Sequence, residues 1–308
     1  MKRRRLLVGA SLLAAGGGWA AACASLYVRA FGARHWGVEA ERGWTPDDLG
    51  VAHESLDVRT SDGVRLLAWY LPGSRDAAII VSGGHRGRAG DVLGVSTALQ
   101  RRGFHVLAYG WRGTPGSDPA PHTLGVHECR DLEAAIDALC ARVGEIPVGL
   151  LGFSLGGAVS IVVGAGDPRV AAVCSDSAFS DPSSVLGDGI RRVFHLPSGV
   201  IVGPVATVLR RRTGAELASF RPLVAVAALA PRALLLIHGG SDASVHPVHA
   251  ERLYAAAGEP KERWVLPGVP HVGAYFAGRR EYVERVGGFF ERHLSAASTR
   301  RADRVAVM

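Results

Sequence analysis

The residues best suited to chemistry begin with Gly152-Phe153-Ser154-Leu155-Gly156, a G-x-S-x-G pentapeptide with a serine at its centre. A serine hydroxyl attacks a carbonyl carbon best from a sharply turned, exposed position, and small neighbours leave room for that turn. With 40 glycines in 308 residues, the pattern alone carries little weight. Its setting carries more. Val148–Phe153 reads as a buried strand and Ala158–Val163 as a helix, so Ser154 falls at a strand-to-helix junction. The first amides of such a helix face any negative charge that develops on a reacting oxygen. The competing reading is an ordinary serine in a glycine-rich turn.

A serine hydroxyl needs a base within reach before it becomes a useful nucleophile. His271, in Pro267-Gly268-Val269-Pro270-His271, follows the last predicted strand and so falls at the same sheet edge as Ser154. Asp242, in His238-Gly239-Gly240-Ser241-Asp242, directly follows the preceding strand, where a carboxylate can accept the second imidazole N–H and fix its tautomer. The chain order Ser, Asp, His is the one associated with this kind of serine. Asp176, ending another strand, competes for the acid's role, and a turn-capping role competes for Asp242. His238 ends a strand. His246 and His249 stand three apart, lack a third metal ligand in the sequence, and read as a solvated helix start. Two donors are expected for an oxyanion: the backbone N–H of Leu155, and that of His85 in the loop Ser82-Gly83-Gly84-His85-Arg86-Gly87. That loop lacks the G-x-x-x-x-G-K-[ST] form of a phosphate cradle. No metal and no organic cofactor is expected.

These residues need a scaffold that brings them to one edge. Glu54–Thr60 and Val64–Leu71 alternate apolar and polar residues around Ser61-Asp62-Gly63, as in an antiparallel hairpin. Short apolar strands follow at Ala77–Val81, Phe104–Tyr109, Val148–Phe153, Val170–Ser175, Ala233–His238 and Arg263–Leu266. Helices are expected over Arg88–Arg102, His127–Val143, Pro247–Ala256 and Arg280–His293. This alternation predicts an α/β chain with a mostly parallel, eight-stranded sheet covered by helices on both faces. The rhythm breaks over residues 181–221, an insertion with Pro182, Pro197 and Pro204 that is expected to form a small helical lid over an acyl pocket.

Composition fits a single large core: 48% of the residues are hydrophobic and 20% charged. The formal net charge is +7, but Lys2, Arg3, Arg4 and Arg5 supply four of those charges, leaving +3 for the rest. A nucleic-acid partner is therefore not expected, since such binders concentrate basic residues on one face. The four cysteines show no disulfide framework. Cys129 and Cys140, on one predicted helix, lie about 16 Å apart at 1.5 Å per residue, too far for a bridge.

Leu6–Val28 carries no charged side chain and follows the basic cluster. As a helix it would span about 35 Å, enough for a bilayer core, with the basic end cytoplasmic. A cleaved export signal competes, because Ala20-Ala21-Ala22 offers a cleavage site, and a buried helix is the third reading. Under the first two, the rest of the chain lies outside the cytoplasm, membrane-anchored or exported. The expected organisation is a segment 1–28, a connector 29–50, a domain 51–295 containing the insertion 181–221, and a flexible basic tail 296–308.

Several ordered blocks together resemble the α/β-hydrolase superfamily, in particular its serine-aminopeptidase-like and membrane-anchored, depalmitoylase-like branches. They are Asp62-Gly63-Val64-Arg65-Leu66, Trp111-Arg112-Gly113-Thr114-Pro115-Gly116-Ser117, Thr123-Leu124-Gly125 with Glu128 and Asp131, Gly152–Gly156, Asp176-Ser177-Ala178-Phe179, His238–Asp242 and His271. The resemblance runs from about Trp44 to Leu294. It implies the α/β-hydrolase fold, the triad Ser154, Asp242 and His271, and ester, thioester or amide substrates. One departure stands out: such proteins usually carry His-Gly where this chain has Gly83-Gly84. The expected activity is hydrolysis of a small-molecule or lipid-like acyl ester or thioester through an acyl-enzyme. A peptidase or amidase of the same fold and a non-catalytic, membrane-tethered binding module are the alternatives.

Overall fold

The computed structural model describes residues 43–194 and 198–306. The segment 1–28, with its anchor and export readings and Cys23, lies outside the described residues, as does Pro197. Among the described residues no helix is long and apolar enough to cross a membrane.

Among the described residues ten strands form in chain order: β1 (Glu54–Ser55), β2 (Val58–Arg59), β3 (Arg65–Leu66), β4 (Ala68–Leu71), β5 (Ala78–Ser82), β6 (His105–Tyr109), β7 (Val148–Phe153), β8 (Val170–Asp176), β9 (Ala233–Gly239) and β10 (Lys261–Leu266). Eight of them make one sheet in the order β1-β4-β6-β5-β7-β8-β9-β10. The β1–β4 and β4–β6 pairs are antiparallel and the other five parallel, so the expected mostly parallel eight-stranded sheet is what forms.

The expected hairpin is present but broken into two short ladders. Val58 pairs with Leu66 and Glu54 with Tyr70 in one continuous register. The break occurs where Leu67 turns its backbone to another partner: its N–H donates to Ser117 Oγ (2.9 Å) and its C=O accepts from the Gly110 N–H (2.9 Å).

The helices lie on both faces. On one face pack α1 (Leu93–Arg101) and the long α9 (Arg279–Ala306); on the other pack α2 (Glu128–Val143) and α3 (Leu155–Gly166). Strand residues alternate between the two cores, Ile80 and Leu150 toward α2 and α3, Ile79 and Leu151 toward α1 and α9. That is why the strands read as unbroken apolar runs. The expected helix from Arg88 begins instead as a 3₁₀ turn over Ala89–Val92, because Arg88 stays extended and its N–H donates to the Asp91 carboxylate (2.9 Å). At the other end, α9 continues to Ala306 rather than stopping at His293, through a stretch of alanine and arginine with high helix propensity.

The insertion contains α4 (Pro182–Phe194), α5 (Ser198–Thr213) and a 3₁₀ turn at Leu217–Ser219, and α6 (Pro222–Ala225) follows it directly. Its side chains Val205, Leu209, Ala215 and Leu217 form a separate small cluster with Leu124. After it come α7 (Val248–Ala256) and α8 (Ala274–Ala277).

Candidate active site

The strand order reverses direction between β5 and β7: chain after β5 runs outward one way, chain after β7 the other. A reversal of this kind opens a crevice at the carboxyl ends of the strands. The loop 83–87 leaves β5 there, and Ser154 leaves β7 beside it. Ser154 sits at φ +53° and ψ −112°, a conformation that side-chain-bearing residues rarely adopt. Close packing enforces it. A Cβ at Gly152 would lie 2.2 Å from the Gly156 carbonyl oxygen, and one at Gly156 would lie 2.6 Å from the carbonyl oxygens of Ser82 and Gly83. The Ser154 N–H is also fixed, donating to the Asp176 carbonyl (2.7 Å).

The structure brings Ser154, His271 and Asp242 together. Ser154 Oγ lies 3.0 Å from His271 Nε2, and His271 Nδ1 lies 2.6 Å from Asp242 Oδ2. A carboxylate can only accept, so Nδ1 carries the proton and Nε2 presents its lone pair to the serine O–H. Asp242 has no exposed side-chain surface. Burial opposes its charge, but hydrogen bonds from His238, His271 and the Val245 N–H outweigh it and hold the carboxyl well below the usual carboxylate range. Its other oxygen accepts the N–H groups of Ser244 and Val245, both at 2.8 Å. The two supporting loops are tied together, Gly240 N–H to the Leu266 carbonyl and Ser241 N–H to that of Val269. This constellation can take a proton from a hydroxyl and stabilise the resulting imidazolium.

Asp176 is buried at the end of β8 but does not reach the imidazole. Its two oxygens accept the hydroxyls of Ser177 (2.9 Å) and Tyr282 (3.0 Å). Ser177 Oγ in turn accepts the N–H of Val272, the residue after His271 (3.2 Å). Sequence reasoning missed this support, since its partners are 106 and 95 residues apart. Burial, partly offset by those two hydroxyls, pushes the Asp176 carboxyl up to about 6. The folded chain therefore keeps this proton over a range, from about pH 4 to about 6, in which the unfolded chain has lost it. Stability from this group falls as pH rises through that window. Comparing urea midpoints of wild type and Asp176→Asn between pH 4 and 7 should show the gap moving in the variant's favour as pH rises. A constant gap would contradict the expectation.

His249 corrects the reading of a solvated helix start. It is buried, and its Nδ1 accepts the Ser180 N–H (3.2 Å) with the Ser180 hydroxyl at 2.8 Å, so it fastens α7 to the chain after β8. His246 is exposed. His238 Nε2 donates to the Val245 carbonyl (2.8 Å). Among the described residues no group of three or more His, Cys, Asp or Glu side chains could hold a metal ion.

Leu155, expected as one oxyanion donor, begins α3, where a first-turn amide has no partner within the helix. The 83–87 loop is pinned by Trp111 Nε1–H donating to the Gly83 carbonyl (3.0 Å) and by the Gly87 N–H donating to that of Gly84 (2.8 Å). A Cβ at Gly84 would stand 3.5 Å from Ser154 Cβ, which puts this loop directly beside the hydroxyl. His85 is exposed there, its ring edge-on to His122 with centroids 5.1 Å apart.

Ser154 and His271 open into a cavity of about 800 Å³, walled by Trp44, Leu49, Val92, Phe153, Tyr275 and Phe276 among others. No described residue of 181–221 lines this cavity. The insertion packs on Leu124 instead, and the wall comes from the connector, the start of α1 and the chain around α8.

Comparison with known proteins gives a consistent picture. The family profile described as "Serine aminopeptidase, S33" matches residues 73–211. The uncharacterised protein Rv2307c of Mycobacterium tuberculosis is 32% identical over 225 residues, covering 71% of this chain and 73% of that protein. The alpha/beta hydrolase domain-containing protein WAV2 of Arabidopsis thaliana is 26% identical over 259 residues, covering 81% of this chain and 82% of its own. Among solved structures, the esterase Pf2001 of Pyrococcus furiosus superposes with a TM-score of 0.70 at 24% identity, over 85% of this chain and 97% of that one. At that identity the likeness establishes the fold alone.

Proposed function

The chain belongs to the α/β-hydrolase superfamily, and from that premise we propose that it cleaves carboxylic esters, and thioesters second, through an acyl-enzyme on Ser154. The observation that carries this reading is the continuous hydrogen-bond path from Ser154 Oγ through His271 to Asp242. In the first half-reaction Ser154 Oγ attacks the carbonyl carbon while His271 Nε2 takes its proton. The carbonyl electron pair moves to oxygen, which the N–H groups of Leu155 and His85 receive. The tetrahedral intermediate collapses, and His271 returns the proton to the departing alcohol or thiol. In the second half, His271 draws a proton from water, hydroxide attacks the acyl carbon, and the carboxylic acid leaves as Ser154 is reprotonated. Asp242 keeps its charge throughout, balancing the imidazolium.

Amide and peptide substrates come third for two reasons. An amine leaves less readily than an alcohol. An aminopeptidase must also hold a substrate ammonium group, and Asp91, the acidic side chain on the cavity wall, is engaged by the Arg88 guanidinium (3.0 Å) and N–H (2.9 Å). A binding module without catalysis is the reading from another class. A fluorophosphonate probe separates it from the enzyme: the wild-type chain should be labelled, and Ser154→Ala should not. A folded wild type that takes up no label would remove the proposal. A panel of p-nitrophenyl esters, acyl-thioesters and aminoacyl amides then orders the substrate classes.

A further inference from the structure

Single apolar side chains on a surface are ordinary, whereas several that converge on one opening are not. Among the described residues six large apolar side chains stand open to solvent, and three of them ring the cavity that holds Ser154. They are Trp44 (66% exposed), Leu49 (39%) and Phe276 (68%). They come from segments more than 200 residues apart, so folding itself assembles the rim. The rim is also firmly mounted. Pro46, which falls between Trp44 and Leu49 in the sequence, is buried, and the Trp44 carbonyl lies so near Gly90 that a Cβ there would approach within 2.5 Å.

The charges beside these rings are arranged unevenly. The Arg279 guanidinium lies over the rings of Tyr275 and Phe276, 5.7 and 5.9 Å from their centroids, and forms no ion pair with a described residue. Of the nearby acids, Asp48 accepts from Thr45 (2.8 and 2.9 Å) and Asp91 from Arg88, while Asp47 and Glu281 stand exposed to solvent. Aromatic rings with an adjacent cation are the side chains that settle at a membrane interface, the rings at headgroup depth and the guanidinium at phosphates. The chain enters this rim from a telling direction. Fifteen residues, 29–43, separate it from the uncharged run Leu6–Val28. Fully extended they reach at most about 50 Å, so a bilayer holding that run would lie within reach of the cavity mouth.

We propose that the rim of the Ser154 cavity seats on a lipid bilayer, with Trp44, Leu49 and Phe276 in the interfacial layer and Arg279 at the lipid phosphates. An acyl ester then enters the cavity from the membrane rather than from water. This last consequence rests on the hydrolase reading; the seating does not.

The test uses the full chain with Phe276→Cys carrying a polarity-sensitive fluorophore, and wild type taken through the same labelling as background. Val224→Cys, an exposed site on the α2–α3 side of the sheet, serves as control. With phosphatidylcholine vesicles, the label at 276 should shift to the blue and lose emission to lipid-borne doxyl quenchers, while the label at 224 does neither. The proposal is overturned if the 276 label keeps its buffer spectrum, whether or not the chain floats with the vesicles. It is equally overturned if both labels are quenched alike, which is indiscriminate adsorption. A 276 label already shielded before lipid is added overturns it too, because another part of the chain or a second copy then covers the rim. Fluorophosphonate labelling of Ser154 in the same samples reports separately on the hydrolase reading.

Discussion

Replacing His271 with alanine is expected to lower kcat for a soluble p-nitrophenyl ester by about 10⁴- to 10⁶-fold, with KM little changed. The imidazole is the group within hydrogen-bond reach of Ser154 Oγ on the side of its lone pair, so its loss leaves the hydroxyl protonated and weakly nucleophilic. The oxyanion donors and the cavity walls remain, which is why some acceleration over water should persist. KM should hold because the side chain touches the reacting oxygen more than it shapes the cavity. Stability should suffer little: the His271 side chain is 26% exposed, so truncation admits water rather than leaving a void, and Asp242 keeps its N–H donors and His238. Steady-state kinetics and a urea titration of the same preparation check both halves. A loss of less than about tenfold in kcat would mean that another base serves Ser154.

Replacing Arg112 with methionine is expected to destabilise the fold by about 3–5 kcal/mol without a matching loss of activity in the molecules that remain folded. Arg112 follows β6 and is 1% exposed. Its guanidinium meets Asp131 through Nε (2.9 Å) and a terminal nitrogen (2.7 Å), and meets Asp62 through both terminal nitrogens (2.8 and 3.1 Å). Burial opposes the charge, but the two carboxylates overcome it and hold the guanidinium more firmly protonated than usual. The contacts join the hairpin turn, the 110–118 loop and α2. Removing the cation leaves Asp131 ionisable with no exposed side-chain surface and no balancing charge. Adding Asp131→Leu should therefore recover part of the loss, since a buried pair exchanged for apolar side chains is often tolerated. Recovery should be incomplete, because the Arg112 N–H also donates to Asp131 (3.1 Å). Urea denaturation of the single and double variants measures both. A single variant within about 1 kcal/mol of wild type would show that the pair contributes no more than a surface ion pair.

Much of this molecule is legible in its sequence, and the reason is local. The central strands are buried on both faces, so each is a short apolar run that no amphipathic helix imitates. The turn at Ser154 announces itself because close packing excludes side chains from positions 152 and 156. His271 and Asp242 are found by following each strand to its carboxyl end, where the fold gathers them. What escaped the sequence depends on partners far along the chain. Leu67 leaves its ladder for Ser117 and Gly110, and Asp176 turns to Tyr282, choices that no pattern around 67 or 176 encodes. The insertion is visible as a break in rhythm, yet nothing in its local sequence marks Leu124 as the residue it packs on. Cavity walls are assembled from Trp44, Val92 and Phe276, and nothing in their local sequence marks them as neighbours.

The packing of Trp44 and Pro46 has a practical corollary for anyone shortening this protein. A chain trimmed to start at Val51, the boundary suggested by the onset of alternating residues, would keep every strand and all three polar side chains at Ser154. It would nevertheless lack one flank of its substrate chamber and leave Gly90 bare. Such a truncate should fold and label with a fluorophosphonate while misjudging acyl length, so chain-length preferences are best measured on material that retains residue 43 onward.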